Sequence, residues 1–283
     1  MLELVVPAPA KINLFLHVTG RREDGYHSLE SVFVLIDLAD TVTLSRRDDG
    51  TIAQGRELHG VSAADDLSLR AARLLKSATG TRFGANVSLE KRIPQGAGLG
   101  GGSSDAASVL LALNRLWELA LSRAELLQLG VSLGADVGFF IGGENAFARG
   151  IGEVLTPLSI PSSWIALALP PIVVTTRSVF AAAALTRYTP SARIDIFCDN
   201  FGRNDLEPVV EAKFPVVAEA IRALARGSRE APEAARMTGS GACAFAAFVS
   251  EQDARHALSF LPAEIPGRVV KTLGQHPLAS FAA

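Results

Sequence analysis

Apolar and polar positions alternate near the start of the chain. In "KINLFLHV", Lys11, Asn13, Phe15 and His17 fall on one face of an extended strand, and Ile12, Leu14, Leu16 and Val18 on the other. The polar stretch "TGRREDGYHS", with its Asp-Gly pair, predicts a loop with a turn, and "SLESVFVLID" and "DTVTLSRRD" then read as further strands. "DDLSLRAARLLKSATG" has a capping start and a glycine stop and predicts a helix, while "ANVSLEKRI" predicts a strand. From Asp105 to about Leu119 a helical pattern is apolar on nearly every side (Ala106, Ala107, Val109, Leu110, Leu111, Leu113, Leu116), which marks a buried helix. "LSRAELLQLGVSLG" predicts another, with Ser122 as cap and Glu125 three residues on. "GENAFARGIGEVLTPL" reads as strand, turn, strand.

The Pro- and Ser-rich "TPLSIPSS" at 156–163 reads as a boundary between residues 1–157 and 158–283. Beyond it come strand ("WIALALPP"), helix ("SVFAAAAL"), helix ("PVVAEAIRALAR"), strand ("ACAFAAFVS"), helix ("EQDARHALSFL") and strand ("GRVVKTL"). That alternation predicts a layered αβ sandwich.

Composition narrows the function classes. Hydrophobic residues make up 48% of 283, enough for a sizeable core. A net charge of −2 argues against a protein that neutralises many nucleic-acid phosphates. Cys198 and Cys243 form no CxxC and no His/Cys cluster, so neither a zinc site nor a disulfide framework is expected. The N-terminus lacks the pattern of a signal peptide, and the apolar "WIALALPPIVV" is short and broken by Pro170 and Pro171. The expectation is a soluble cytoplasmic protein with no nucleic-acid or membrane partner, a monomer or weak homodimer.

The chemistry concentrates in "PQGAGLGGGSSDAA" at 94–107, where five of the seven positions from Gly96 to Gly102 are glycine. A Walker A loop needs a lysine after its last glycine; here Ser103 and Ser104 follow Gly102. "GAGLGG" at 96–101 matches the dinucleotide fingerprint, but that fold requires a strand ending in an acid about 20 residues on, and here one helix is followed by another. A third reading is an anion cradle, in which bare backbone N–H groups and the positive end of the next helix face a polyphosphate. The plain alternative is a turn between strand and helix. Only five of the 27 basic residues are lysine, so Lys11, on a strand among apolar residues, is a candidate for the cation the loop lacks. An exposed edge-strand lysine is the other reading.

Three blocks, "PAPAKINLFLHVTGRREDGYH", "IPQGAGLGGGSSDAA" and "MTGSGACAFAAF", resemble the three motifs of the GHMP kinases. "DGYHSLESVF", "LGADVGFF", "ARGIGEVLTPL" and "NDLEPVV" sharpen the resemblance to the branch acting on a CDP-linked alcohol. The resemblance implies an α+β fold of two domains, the first like ribosomal protein S5 domain 2 and the second a ferredoxin-like αβ sandwich. It implies ATP-dependent phosphorylation, with Mg²⁺, of the 2-hydroxyl of the methylerythritol part of a CDP-linked small molecule. A GHMP-type kinase of another alcohol, such as homoserine or mevalonate, and a non-catalytic ligand-binding protein of that fold are the alternatives.

Residue by residue, the resemblance implies that Asp136 is the catalytic carboxylate and Lys11 its partner. Pro94, Gly96, Gly98, Leu99, Gly100, Gly101, Gly102, Ser103 and Ser104 would hold ATP, with Asp66 and Asn114 near its nucleoside, and Ser104 is the candidate Mg²⁺ ligand. Asn13 would orient the substrate, Tyr26 and His27 would contact cytidine, Phe180 would stack on cytosine, and Thr176, Gly239 and Gly241 would lie against the substrate. The chain departs from the family at Asp66, usually Asn, and at Gly138, usually Pro.

Overall fold

The computed structural model describes residues 2–55, 62, 64–191, 202–227 and 235–282; Cys198 lies outside the described residues. Strands β1 (Glu3–Arg21) and β2 (His27–Arg47) pair antiparallel from Glu3↔Ser45 to Arg21↔His27, joined by the "REDGY" turn. Both exceed the strands expected from alternation. Most of β1 from Ala8 to Val18 is buried on both faces, so polar and apolar positions alike sit inside. The two segments expected at 28–37 and 40–48 are one strand, and Asp40 is fully buried within it.

The chain continues through β3 (Ile52–Gln54), α1 (Leu67–Thr79), β4 (Gly84–Glu90), α2 (Gly101–Leu116), α3 (Arg123–Val131), α4 (Val137–Gly142), β5 (Ala146–Arg149) and β6 (Val154–Pro157). The second half holds β7 (Trp164–Ala168), α5 (Thr176–Phe180), α6 (Glu207–Lys213), α7 (Pro215–Gly227), β8 (Arg236–Met237), β9 (Ala244–Phe248), α8 (Glu251–Leu258) and β10 (Gly267–Leu273). One sheet runs through both halves in the order β3-β4-β2-β10-β7-β9-β8, with β1 and β5 also on β2. The seam is the pairing of Thr272 and Leu273 with Ile36 and Leu35.

Three local outcomes matter for the site. The buried helix α2 begins at Gly101, four residues before the Asp105 read from the sequence, so Ser103 and Ser104 belong to its first turn. Its side chains Val109, Leu110, Leu111 and Leu113 are fully buried in a core shared with α1, α4, β2 and β4. The short helix α4 was not legible, being apolar throughout in "VGFFIG". Helix α5 ends at Phe180 rather than extending over 178–185. Past β10 the chain returns to the first half, where Leu278 and Ala282 join the α2 core. Among the described residues, no helix is long and apolar enough to cross a membrane.

Candidate active site

A cleft of about 1180 Å³ runs between the two halves. Its floor is the glycine loop at one end and the β1–β2 turn with α5 at the other.

The cradle end is made by close backbone approach. Gly98 has φ +76°, and a Cβ there would sit 2.3 Å from the Thr238 carbonyl oxygen. Gly239, in the facing "TGSG" loop, would carry a Cβ 2.7 Å from the Gly98 carbonyl oxygen. The two glycine-bearing loops thus lie back to back, and the Asn204 amide pins the second by donating to the Met237 and Gly239 carbonyls at 2.9 and 2.8 Å. Gly100, the N-cap of α2, makes no side-chain cap, so the first N–H groups of this helix lack partners within the helix and open toward the cleft.

Strand β1 brings Lys11 against the loop. The Lys11 N–H donates to the Leu99 carbonyl at 3.0 Å, tying the strand to the loop. A Cβ on Gly100 would come within 3.2 Å of the Lys11 stem, so glycine lets the loop lie flat on that lysine. The Lys11 ammonium is 4.7 Å above the Phe33 ring, donates to Asn13 Oδ1 at 2.6 Å and lies 3.6 Å from Asp136 Oδ2. Asp136 occupies the N-cap of α4 but makes no capping hydrogen bond, which leaves its carboxylate to Lys11 and the cleft. The Asn13 amide also donates to Ser31 Oγ at 2.8 Å, and Ser31 donates on to the Phe15 carbonyl at 2.5 Å. Asn13 is therefore a brace for Lys11, a role beyond the substrate-orienting one that the resemblance implied.

At the far end His27 stacks on Phe180, ring centroids 5.2 Å apart and 27° from parallel, with the exposed Tyr26 beside them. Burial, then the guanidinium groups of Arg187 and Arg21, lower the pKa of His27, so its imidazole favours the neutral form. Thr176 also lines the cleft, its hydroxyl 2.8 Å from that of Ser240.

Of the remaining residues singled out in the sequence, Pro94, Gly96, Leu99, Gly101, Gly102, Ser103 and Asp66 line the cleft. Asp66 caps α1, accepting from the Ser68 and Leu69 N–H groups at 2.8 and 3.4 Å. Asn caps equally well, so that departure preserves the local structure. Gly138 falls in the first turn of α4, where a proline would also be tolerated. Three residues are turned elsewhere. Ser104 is fully buried and donates to the Pro9 carbonyl at 2.6 Å, which removes it as a metal ligand facing the cleft. Asn114 clamps the end of α2, exchanging hydrogen bonds with the backbone of Leu121 at 3.0 Å, outside the cleft. Gly241 sits behind its loop, a Cβ there meeting Met237 Sδ at 2.7 Å.

Sequence reading missed a charged cluster beside the cradle. Lys91 bridges two buried carboxylates, Asp40 and Asp105, the second at 2.5 Å. Burial, with the neighbouring Asp40 charge and against the pull of Lys91, pushes Asp105 up to about 7. Burial alone would lower Lys91, but the two carboxylates outweigh it and raise its pKa. The only signal in the sequence was that Lys91 is one of few lysines.

Comparison with known proteins gives the family. Residues 66–148 match the GHMP kinase N-terminal domain and residues 190–267 the GHMP kinase C-terminal domain. A 4-diphosphocytidyl-2-C-methyl-D-erythritol kinase of Cupriavidus taiwanensis is 53% identical over 98% of this chain and 95% of its own. Another, of Thiobacillus denitrificans, is 52% identical over 97% of each chain. A crystal structure of a 4-(cytidine 5'-diphospho)-2C-methyl-D-erythritol kinase superposes with TM-score 0.83 and 35% identity, covering 96% of this chain and all of that one. The homoserine kinase of Cytophaga hutchinsonii, at 17% identity and TM-score 0.73, shares the fold. With domains, whole-chain identity and fold in agreement, the chain belongs to the GHMP kinases, in their 4-diphosphocytidyl-2-C-methyl-D-erythritol kinase branch.

Proposed function

We propose that the chain transfers the γ-phosphoryl group of ATP to the 2-hydroxyl of 4-diphosphocytidyl-2-C-methyl-D-erythritol, giving the 2-phosphate and ADP, in the non-mevalonate route to isoprenoid precursors. The observation that carries this reading is the Lys11–Asp136 pair, 3.6 Å apart, set between a glycine cradle and an aromatic end within one cleft. The relatives named above carry the same activity in their names.

Phosphoryl transfer asks for positioning and charge stabilisation. The N–H groups at the start of α2 hold the ATP phosphates, with the cleft-lining Ser103 hydroxyl beside them. Asp136 accepts the hydrogen bond of the 2-hydroxyl and takes its proton as the new P–O bond forms and the β–γ bridge bond breaks. Lys11, fixed by Asn13, faces the transferred group as it gains charge. At the far end Tyr26, His27 and Phe180 receive the cytosine ring. Mg²⁺ bound with ATP would neutralise phosphate oxygens; it needs only one or two protein oxygens, and Ser103 and Asp136 are among those that line the cleft. Among the described residues no group of three or more His, Cys, Asp or Glu forms a dedicated metal cage. We place the enzyme in the cytoplasm, acting as a monomer or weak homodimer on a small-molecule substrate.

Purified protein incubated with ATP, Mg²⁺ and the CDP-linked alcohol should release ADP and give a product with a new phosphomonoester ³¹P resonance. ADP release no faster than without the alcohol would sink the proposal. Greater turnover of homoserine or mevalonate than of the CDP-linked alcohol would reassign the substrate.

A further inference from the structure

Arg187 stands where no motif drew attention, in the segment after α5, and lines the cleft next to His27. Its guanidinium is held by the backbone: it donates to the carbonyls of Ala182 at 2.6 Å, Leu185 at 3.2 Å and Ala183 at 3.4 Å. With those bonds made, its Nε–H points at His27 Nε2, 3.3 Å away.

An arginine side chain has only donors and stays charged at any pH the protein meets. The nitrogen that faces it must therefore offer a lone pair. A neutral imidazole carries one proton, so with Nε2 accepting, that proton sits on Nδ1. A doubly protonated ring would set an N–H against the guanidinium, which agrees with the lowered pKa of His27. Nδ1 has no protein hydrogen-bond partner among the described residues, and the ring is kept in place by its stack on Phe180.

We infer that Arg187 is a positioning residue that fixes His27 as the Nδ1–H tautomer, so that His27 presents a hydrogen-bond donor to an acceptor on the pyrimidine edge of the substrate. The choice of ligand rests on the kinase reading above; the tautomer does not. A pyrimidine such as cytosine carries ring-nitrogen and carbonyl acceptors on that edge. In an unconstrained histidine side chain the proton prefers Nε2, and a His27 of that form would turn a lone pair toward those acceptors. Arg187 thus converts a histidine that would repel the base edge into one that binds it.

The test begins with long-range ¹H–¹⁵N correlation spectra of the substrate-free protein, assigned through a His27→Gln variant. In the unaltered protein Nδ1 should show the shift of a protonated nitrogen and Nε2 that of an unprotonated one. In Arg187→Met the pattern should move toward the Nε2–H form. KM for the CDP-linked alcohol should rise about 3- to 10-fold, the worth of one neutral hydrogen bond, while KM for ATP stays within about 2-fold. Because Arg187→Met also frees three carbonyls, a second pair of variants is read alongside. Asn reaches the position of Nδ1 and Gln that of Nε2, so KM should rise less in His27→Asn than in His27→Gln. A proton found on Nε2 in the unaltered protein, an unchanged tautomer in Arg187→Met, or His27→Gln performing as well as His27→Asn would each overturn the inference. The spectra need no substrate, so a failure of the kinase reading leaves them intact as a test.

Discussion

The ammonium of Lys11 donates a 2.6 Å hydrogen bond to Oδ1 of Asn13, two residues along the same strand and on the same face. Asn13 can fill that role only because its amide is oriented from the other side by Ser31, which must accept from it since Ser31 donates to the Phe15 carbonyl. Asn13→Ala should therefore lower kcat roughly 10- to 100-fold through misplacement of Lys11, with KM for ATP little changed. Asn13→Asp keeps an acceptor for Lys11 but sets a carboxylate oxygen against the Ser31 lone pairs, so it should be impaired as well. Steady-state kinetics decides this: full activity in Asn13→Asp would show that the Ser31 link is dispensable.

Asp136 gives a cleaner separation of chemistry from stability. It holds the N-cap position of α4 yet caps nothing, so Asp136→Asn removes no structural hydrogen bond of the helix. The variant loses the ion pair with Lys11, which stays bonded to Asn13, so it should melt only a few degrees below the parent. Its kcat should fall by about 10²- to 10⁴-fold, the range for loss of a general base. ATP affinity, followed by thermal shift, should stay near that of the parent. Turnover at the parental rate would remove Asp136 from the mechanism.

The strands, the glycine cradle and Lys11 were legible because each has a local signature: alternation, a glycine density beyond what a turn needs, and a rare residue type in an apolar strand. What escaped was set by distance or by phase. Lys91 meets Asp40 from 51 residues away and Asp105 from 14, and no spacing rule joins them. Ser103 and Ser104 are adjacent in sequence, but α2 begins at Gly101, so consecutive positions point about 100° apart, one into the cleft and one to Pro9. Asn114 reads as polar in a buried helix, a pattern shared by ligand contacts and helix clamps; only the neighbouring chain at Leu121 settles which it is.

The Asp40–Lys91–Asp105 cluster predicts how stability responds to pH. Asp105 is raised from 3.8 to about 7 on folding, so the folded protein binds the proton more tightly than the unfolded chain. Its contribution is fully present below the unfolded value and is lost as pH rises through about 7. Asp105→Asn cannot ionise and still offers Lys91 an acceptor. Its urea midpoint relative to the parent should therefore rise between about pH 5 and about pH 8. Glu207, also raised to about 7, titrates in both proteins and cancels in the difference. A difference that stays constant over that range would place the proton elsewhere.

Arg123 joins the end of the chain to the helix that presents Asp136. It donates to the Ile141 carbonyl at 2.6 Å and to Gly142 at 3.3 Å, at the C-terminus of α4. Its other terminal nitrogen donates to the carbonyls of Ala279 and Ala282, the latter at 2.9 Å. A cation in the first turn of α3 opposes the helix dipole, so this arginine stabilises the tail junction at some expense to its own helix. Arg123→Met should leave these carbonyls without their partner and lower unfolding stability by about 2–3 kcal/mol, read from the urea midpoint. Arg123→Lys should recover little, because a single ammonium cannot span two pairs of carbonyls in the geometry of a planar fork. The loosening should be local before it is global. Amides of Leu278, bonded to His276 Nδ1 at 3.1 Å, and Phe281, bonded to the Leu278 carbonyl at 2.9 Å, should exchange faster than those of α2. An unchanged midpoint with unchanged exchange at Leu278 and Phe281 would show that the tail holds through Leu278 and Ala282 packing alone.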